Sequence, residues 1–211
     1  MSILEVKNLS LSYGEKTLFG GLSFCAGAGE IVGIRGKNGA GKSTLIKRIA
    51  ALQQDELLSE GEVLLNGAEI SKLSAAQKYG FMSVIFQEPE AQLFAPFVID
   101  ELAFAPENLC VTREEIRKRI DFIAELIGIK ELLSARTDNL SGGEKQLVAI
   151  ASALTSYPRL LLADEITARL DAAGRERIRK VLCEFAANDG TVIFVHHTKE
   201  DAAICDWAVE L

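Results

Sequence analysis

Apolar residues along this chain follow two rhythms: short runs with partial alternation toward both ends, and helical spacing in the middle. Ile3, Val6, Leu9 and Leu11 sit among polar residues in a partly alternating pattern, which predicts short antiparallel strands. Ile31-Val32-Gly33-Ile34 is a compact apolar run ending at a glycine-rich loop. It predicts a buried strand feeding a helix over residues 42–52. Residues 62–67 read as a strand closing in a turn, and residues 81–86 as another strand that delivers Gln87. Residues 160–163 and 191–195 predict two more strands, separated by a helix over residues 175–187.

The middle of the chain differs in character. Thr112-Arg113-Glu114-Glu115 fits a capping box, in which Thr112 accepts from a backbone N–H and Glu115 reaches back. Ile116, Ile120, Ile123 and Ile127 then line one face of an amphipathic helix, with Gly128 as its C-terminal stop. A second helix is predicted to start at Ser141. An α/β frame (residues 1–87 and 155–211) is thus interrupted by a helical lobe over residues 88–154, within one domain of residues 1–211. No internal repeat or low-complexity linker divides it further.

Composition narrows the setting. At 211 residues the chain is long enough to bury a full core, and 48% hydrophobic content is ordinary for a globular α/β protein. No apolar run approaches the roughly 18–20 residues that span a bilayer. Met1-Ser2-Ile3-Leu4-Glu5-Val6 lacks the basic-then-apolar order of a secretory signal. Cys25, Cys110, Cys183 and Cys205 are scattered without a Cys-x-x-Cys pair, and read as reduced, mostly buried thiols of a cytosolic protein. A formal charge of −7 disfavours nucleic acid as a partner, because that binding wants a basic face.

Three stretches carry chemistry. Gly36-Lys37-Asn38-Gly39-Ala40-Gly41-Lys42-Ser43 fits the phosphate-binding loop G-x-x-x-x-G-K-[ST], with Thr44 next in the same segment. Gly36, Gly39 and Gly41 let the backbone N–H groups turn inward at a helix N-terminus, where the dipole favours anions. Lys42 supplies a charge to the β- and γ-phosphates, and Ser43 a hydroxyl ligand for Mg²⁺. Leu160-Leu161-Leu162-Ala163-Asp164-Glu165 is an apolar strand ending in two acids, which repel each other unless a cation or proton sits nearby. Ser141-Gly142-Gly143-Glu144 has two readings: an ordinary helix capping box, or a helix start whose glycines leave N–H groups open to an anion. Tyr13 could be an aromatic platform or a packing residue. Paired His196 and His197 admit a metal reading, but no third ligand is evident.

A phosphate loop followed by Leu140-Ser141-Gly142-Gly143-Glu144-Lys145-Gln146 resembles the ATP-binding cassette (ABC) ATPases, over essentially the whole chain. The resemblance implies an α/β P-loop NTPase core, an N-terminal antiparallel β subdomain and an inserted α-helical signature subdomain. ATP and Mg²⁺ are the implied cofactors. Asp164 then matches the Walker B aspartate that holds Mg²⁺, and Glu165 the catalytic glutamate that polarises water. Gln87 matches the Q-loop glutamine, His197 the switch histidine and Asp171 the D-loop aspartate, leaving His196 a structural role. Tyr13 matches the residue that stacks on adenine. Ser141 to Glu144 would contact the γ-phosphate of ATP held by an opposite protomer, so that one chain is half of an active site.

Several positions depart from the family pattern. Ile166 stands where proline is usual, Ala168-Arg169 replaces a small-residue pair, Leu147 replaces an arginine and Thr198 an aspartate. These put the D-loop geometry and dimer contacts in question. The chain stops at Val209-Glu210-Leu211, where family members continue, which implies a shortened chain or half of a tandem cassette protein. Residues 87–94 and 100–109 look like the energy-coupling-factor (ECF) subgroup of importers, with Ala105 where a glycine is usual. That implies a second cassette, a transmembrane coupling protein and a small substrate-binding membrane subunit as partners. It also implies a peripheral position on the cytoplasmic face of the membrane and uptake of a vitamin or transition-metal ion. The competing expectations are a soluble ABC machine of translation or DNA repair, and a nucleotide sensor that does not hydrolyse.

Overall fold

A computed structural model describes residues 2–52 and 56–211; Met1 and residues 53–55 lie outside the described residues. Two sheets stack with helices around them. The first is antiparallel, built from β1 (Ser2–Tyr13), β2 (Lys16–Gly27), β4 (Leu57–Leu65) and β5 (Ala68–Glu69) in the order β2-β1-β4-β5. The second is parallel, built from β3 (Ile31–Arg35), β6 (Met82–Ile85), β7 (Leu160–Asp164), β8 (Thr191–Val195) and β9 (Trp207–Glu210) in the order β6-β7-β8-β3-β9.

The N-terminal strand is one long element, not several short ones. Its register slips between Val6 and Leu9, where Asn8 takes a positive φ of 48°. The bulge restores Leu9 and Leu11 to the face that holds Leu4 and Val6, all four buried, which explains why the alternation is only partial.

Continuous apolar runs mark strands buried on both faces, and the side chains of β7 and β8 divide by their period of two. Leu160, Leu162, Ile193 and Val195 pack toward the antiparallel sheet and α1 (Lys42–Ile49). Leu161, Ala163, Val192 and Phe194 pack on the other side, against α4 (Arg113–Ile127), α5 (Gly142–Thr155) and α6 (Ala172–Ala187). The remaining helices are α2 (Ala75–Tyr79), α3 (Val98–Asn108) and α7 (Lys199–Ala202).

Four local expectations are corrected. Helix α1 ends at Ile49 and is followed by Ala51 at a positive φ of 55°, so it is shorter than its sequence predicts. Thr112 does cap α4, accepting from Glu115 N, but the Glu115 carboxylate accepts instead from Arg119 Nε at 3.1 Å. A charged partner one turn on competes successfully with the backbone. Helix α6 starts three residues earlier than its apolar spacing shows, because Asp171 caps it by accepting from Gly174 N at 2.7 Å. The cysteines are not mostly buried: Cys25, Cys110 and Cys183 are exposed and Cys205 is half-buried.

Candidate nucleotide site

The loop between β3 and α1 presents an open helix end. Gly41 occupies the N-cap at φ 99°, with no side chain capping the first turn and no acid within it. The N–H groups that a serine or aspartate cap would normally occupy are left for an anion. A side chain at Gly36 would meet the Leu211 carbonyl oxygen, so a glycine is what lets the loop start so close to the end of β9. Lys42 is buried, and its Nζ donates to the carbonyls of Gly36 and Lys37 at 3.0 and 3.1 Å. The lysine thus lies folded under the loop that contains Asn38, Gly39 and Ala40, and Lys42, Ser43 and Thr44 begin the helix. A cleft of about 310 Å³ opens beside Gly36, Lys37 and His197, and its lining also includes Arg35, Lys199 and Glu210, so basic side chains outnumber the acid there.

Neighbouring strands bring three predicted residues together. Glu165 follows β7, Gln87 lies beyond β6, and His197 lies beyond β8, with β7 hydrogen-bonded between the other two strands. Glu165 Oε2 accepts from Gln87 Nε2 at 3.0 Å, and its Oε1 lies 2.6 Å from His197 Nε2. Glu165 holds a left-handed φ of 52°, a conformation disfavoured for a residue with a Cβ. Its N–H donates to Val195 O and its carbonyl accepts from Ala168 N, both at 3.1 Å, forming a tight turn.

Asp164, one residue earlier, is 3% exposed, and its Oδ1 has no hydrogen-bond partner. Burial pushes its carboxyl above the usual range, with the Glu165 charge adding and the Ser43 hydroxyl opposing. An orphaned buried oxygen beside a second carboxylate and a hydroxyl fits a cation.

The other predicted residues lie at the start of α5, the end of β1, the cap of α6 and the loop after β8. Ser141 N and Oγ both donate to Glu144 Oε2, at 2.8 and 2.7 Å, completing a capping box at the start of α5. That box holds the Glu144 carboxyl below its usual range and leaves Gly142 and Gly143 as the first helical residues. Tyr13 ends β1 at the turn into β2, and Leu18 and Phe19 of β2 flank the position a Gly41 side chain would take. Asp171 is engaged as the α6 cap. His196 is buried, and burial pushes its pKa down against the opposing pull of Asp201 and the Thr198 backbone.

Sequence reasoning missed what lies behind these loops. Asp201 is 1% exposed; it accepts from Arg179 Nε at 2.8 Å and from Thr167 Oγ1 at 2.9 Å. Its N–H donates to Thr198 Oγ1 at 3.1 Å, so Thr198 caps α7. Burial alone would raise the Asp201 carboxyl, but Arg179, Thr198 and Thr167 together hold it below its usual value. The departures find places too. Ile166 is fully buried, Leu147 packs on the helical core, and Arg169 Nη1 bonds both oxygens of Glu90 at 2.8 and 2.9 Å.

A glycine loop opening a helix after a parallel strand, with an acid pair ending a nearby strand, defines a P-loop nucleoside triphosphatase. The ABC transporter family profile matches residues 19–168, and the chain belongs to that family: it is an ABC ATPase. It is 35% identical over 200 residues to the energy-coupling factor transporter ATP-binding protein EcfA1 of Fusobacterium nucleatum, covering 94% of this chain and 75% of that protein. It is 38% identical over 185 residues to a putative ABC transporter ATP-binding protein of Sulfurisphaera tokodaii, covering 86% of this chain but only 39% of that one. The fold matches cbiO1 of Clostridium perfringens, part of the ABC transporter complex cbiONQ, with a TM-score of 0.83 and 32% identity. That match covers 99% of this chain and 84% of the other. A dimeric ATP-binding cassette bound to ADP and Pi matches with a TM-score of 0.87 and 25% identity, over 99% of this chain and 94% of that one.

Proposed function

We propose that this chain is the ATP-hydrolysing subunit of a membrane importer of the energy-coupling-factor kind, taking up a vitamin or a transition-metal ion. The observation that carries the catalytic reading is the Glu165 carboxylate held between Gln87 and His197 at 3.0 and 2.6 Å. Ser43, Gln87 and Asp164 would hold Mg²⁺, which when bound offsets charge on the β- and γ-phosphates. Lys42 adds a positive charge at the same phosphates, and Tyr13 stacks on the base. Glu165 accepts a hydrogen bond from the attacking water, and His197 orients both. A second cassette, identical or not, closes head to tail so that Ser141, Gly142, Gly143 and Glu144 of one chain cap ATP bound by the other. Asp171 lies at that junction, and residues 88–154 move as the helical lobe.

Docking to a transmembrane coupling protein and its small substrate-binding subunit is supported by the apolar surface at the entry to α3. Phe94 and Phe104 are exposed and pack edge to face with ring centroids 4.4 Å apart. Phe97 and Ile99 are exposed in the same segment, and Glu101 fixes the loop by accepting from Phe94 N and Ala95 N. An exposed pair of large apolar rings in contact is a feature of interaction sites. Among the described residues no helix is long and apolar enough to cross a membrane, which fits a peripheral position on the cytoplasmic face. The test is affinity purification from detergent-solubilised membranes with mass-spectrometric identification of partners. Recovery of a polytopic protein and a second cassette supports the importer; recovery of ribosomes, DNA or soluble proteins alone overturns it while leaving the ATPase intact.

A further inference from the structure

The two loops that carry Glu165 and His197 leave the sheet side by side, and sheet hydrogen bonds stop where they begin. β7 and β8 pair as far as Asp164 and Val195. Past that point the backbone contributes the Glu165 N to Val195 O bond and the Ala168 N to Glu165 O bond. Neither of these reaches the helix that follows His197. Yet Glu165 sits in a left-handed conformation, and such strain persists only where the surroundings over-determine it.

Asp201 supplies the missing connection. It lies four residues after His197, and Thr167 lies two residues after Glu165. Thr167 is 4% exposed and spends its hydroxyl on Asp201 Oδ2, while Arg179 from α6 bonds the other oxygen. Thr198, directly after His197, closes the loop onto the Asp201 N–H. Every partner is thus anchored in a different segment: the turn after β7, the loop after β8, and the side of α6. Packing would require neither threonine hydroxyl, and a buried carboxylate bonded by two side chains while its own N–H is held by a third is a geometry that resists shear.

We infer that Asp201, through Thr167 and Thr198, is a positioning residue that sets the Glu165–His197 pair for water attack. The inference rests on the catalytic assignment of Glu165 and His197 above. Misplacing a catalytic group by about 1 Å can lower rate on the order of a hundredfold without touching substrate affinity.

The test uses the full chain. Thr167→Val keeps the shape but removes the hydroxyl, and leaves Asp201 paired with Arg179. Its kcat should fall on the order of ten- to a hundredfold while the KM for ATP stays within about twofold, and Thr167→Ser should recover most of the loss. The chain has two histidines, so ring ¹⁵N resonances report each one. The His197 signals should shift in Thr167→Val. Thr198→Ala unties the network from the other side and should show the same split, so a poorly folding valine variant does not end the test. A lowered melting temperature with parental kcat and unmoved His197 signals would show a merely structural role and overturn the proposal. Glu165→Gln separates the two failures. If it too turns over at the parental rate, the catalytic assignment is wrong; if it is inactive while Thr167→Val is not, only the positioning role is lost.

Discussion

Asp164 and Asp201 are both buried at the loop end of the parallel sheet, each near one member of the Glu165–His197 pair, and their surroundings are opposite. Asp164 keeps an oxygen without a partner and has its carboxyl pushed up, whereas Asp201 has its oxygens bonded and its carboxyl held down. A folded protein leaves a buried carboxylate unsatisfied where something else is to bind, and satisfies it where the chain itself must be held. On the proposed function, the first aspartate serves the reaction and the second the frame around it.

That contrast breaks most visibly on the unsatisfied side. Glu165→Gln is expected to lower turnover on the order of 10²–10⁴-fold while ATP binding persists, measured by phosphate release and nucleotide titration. Asp164→Asn should also abolish Mg²⁺-dependent turnover, yet leave the nucleotide-free protein no less stable to urea, because it removes a desolvated charge. Loss of stability in Asp164→Asn would mean that the bond to the Ser43 hydroxyl outweighs the desolvated charge.

On the satisfied side the effects reverse. Arg179→Met strands the Asp201 carboxylate and should cost about 3 kcal/mol in urea unfolding, the lower end for a broken buried pair, since Arg179 retains 13% exposure. The pH dependence has a definite sign. Asp201 is held below its ordinary 3.8, so its stabilisation is fully present above that pH and is lost as pH falls through the lower folded value. The stability difference between the parent and Asp201→Asn should therefore be constant at neutral pH and shrink below 3.8. A difference that stays constant into strong acid would mean that the carboxylate charge contributes nothing. The smallest effect is expected at the exposed Arg169–Glu90 pair: Arg169→Ala should leave the urea midpoint unmoved, because solvent and salt screen surface ion pairs.

The phosphate loop, the acid pair after Leu160-Leu161-Leu162-Ala163, and the Ser141–Glu144 box were legible in the sequence because each is contiguous. Its chemistry depends on backbone turns and helix ends, which residue order within a few positions controls. The strand bulge near Asn8 and the competition of Arg119 for Glu115 were not legible, since each depends on which of two local geometries the neighbours reward. The Thr167–Asp201, Arg179–Asp201 and Arg169–Glu90 contacts join residues 34, 22 and 79 positions apart. No periodicity encodes such pairs. Parallel strand order, which sets β6, β7 and β8 side by side, decides that Gln87, Glu165 and His197 meet. Tertiary surroundings then part the two aspartates, because burial pushes Asp164 up while Arg179, Thr198 and Thr167 outweigh burial at Asp201.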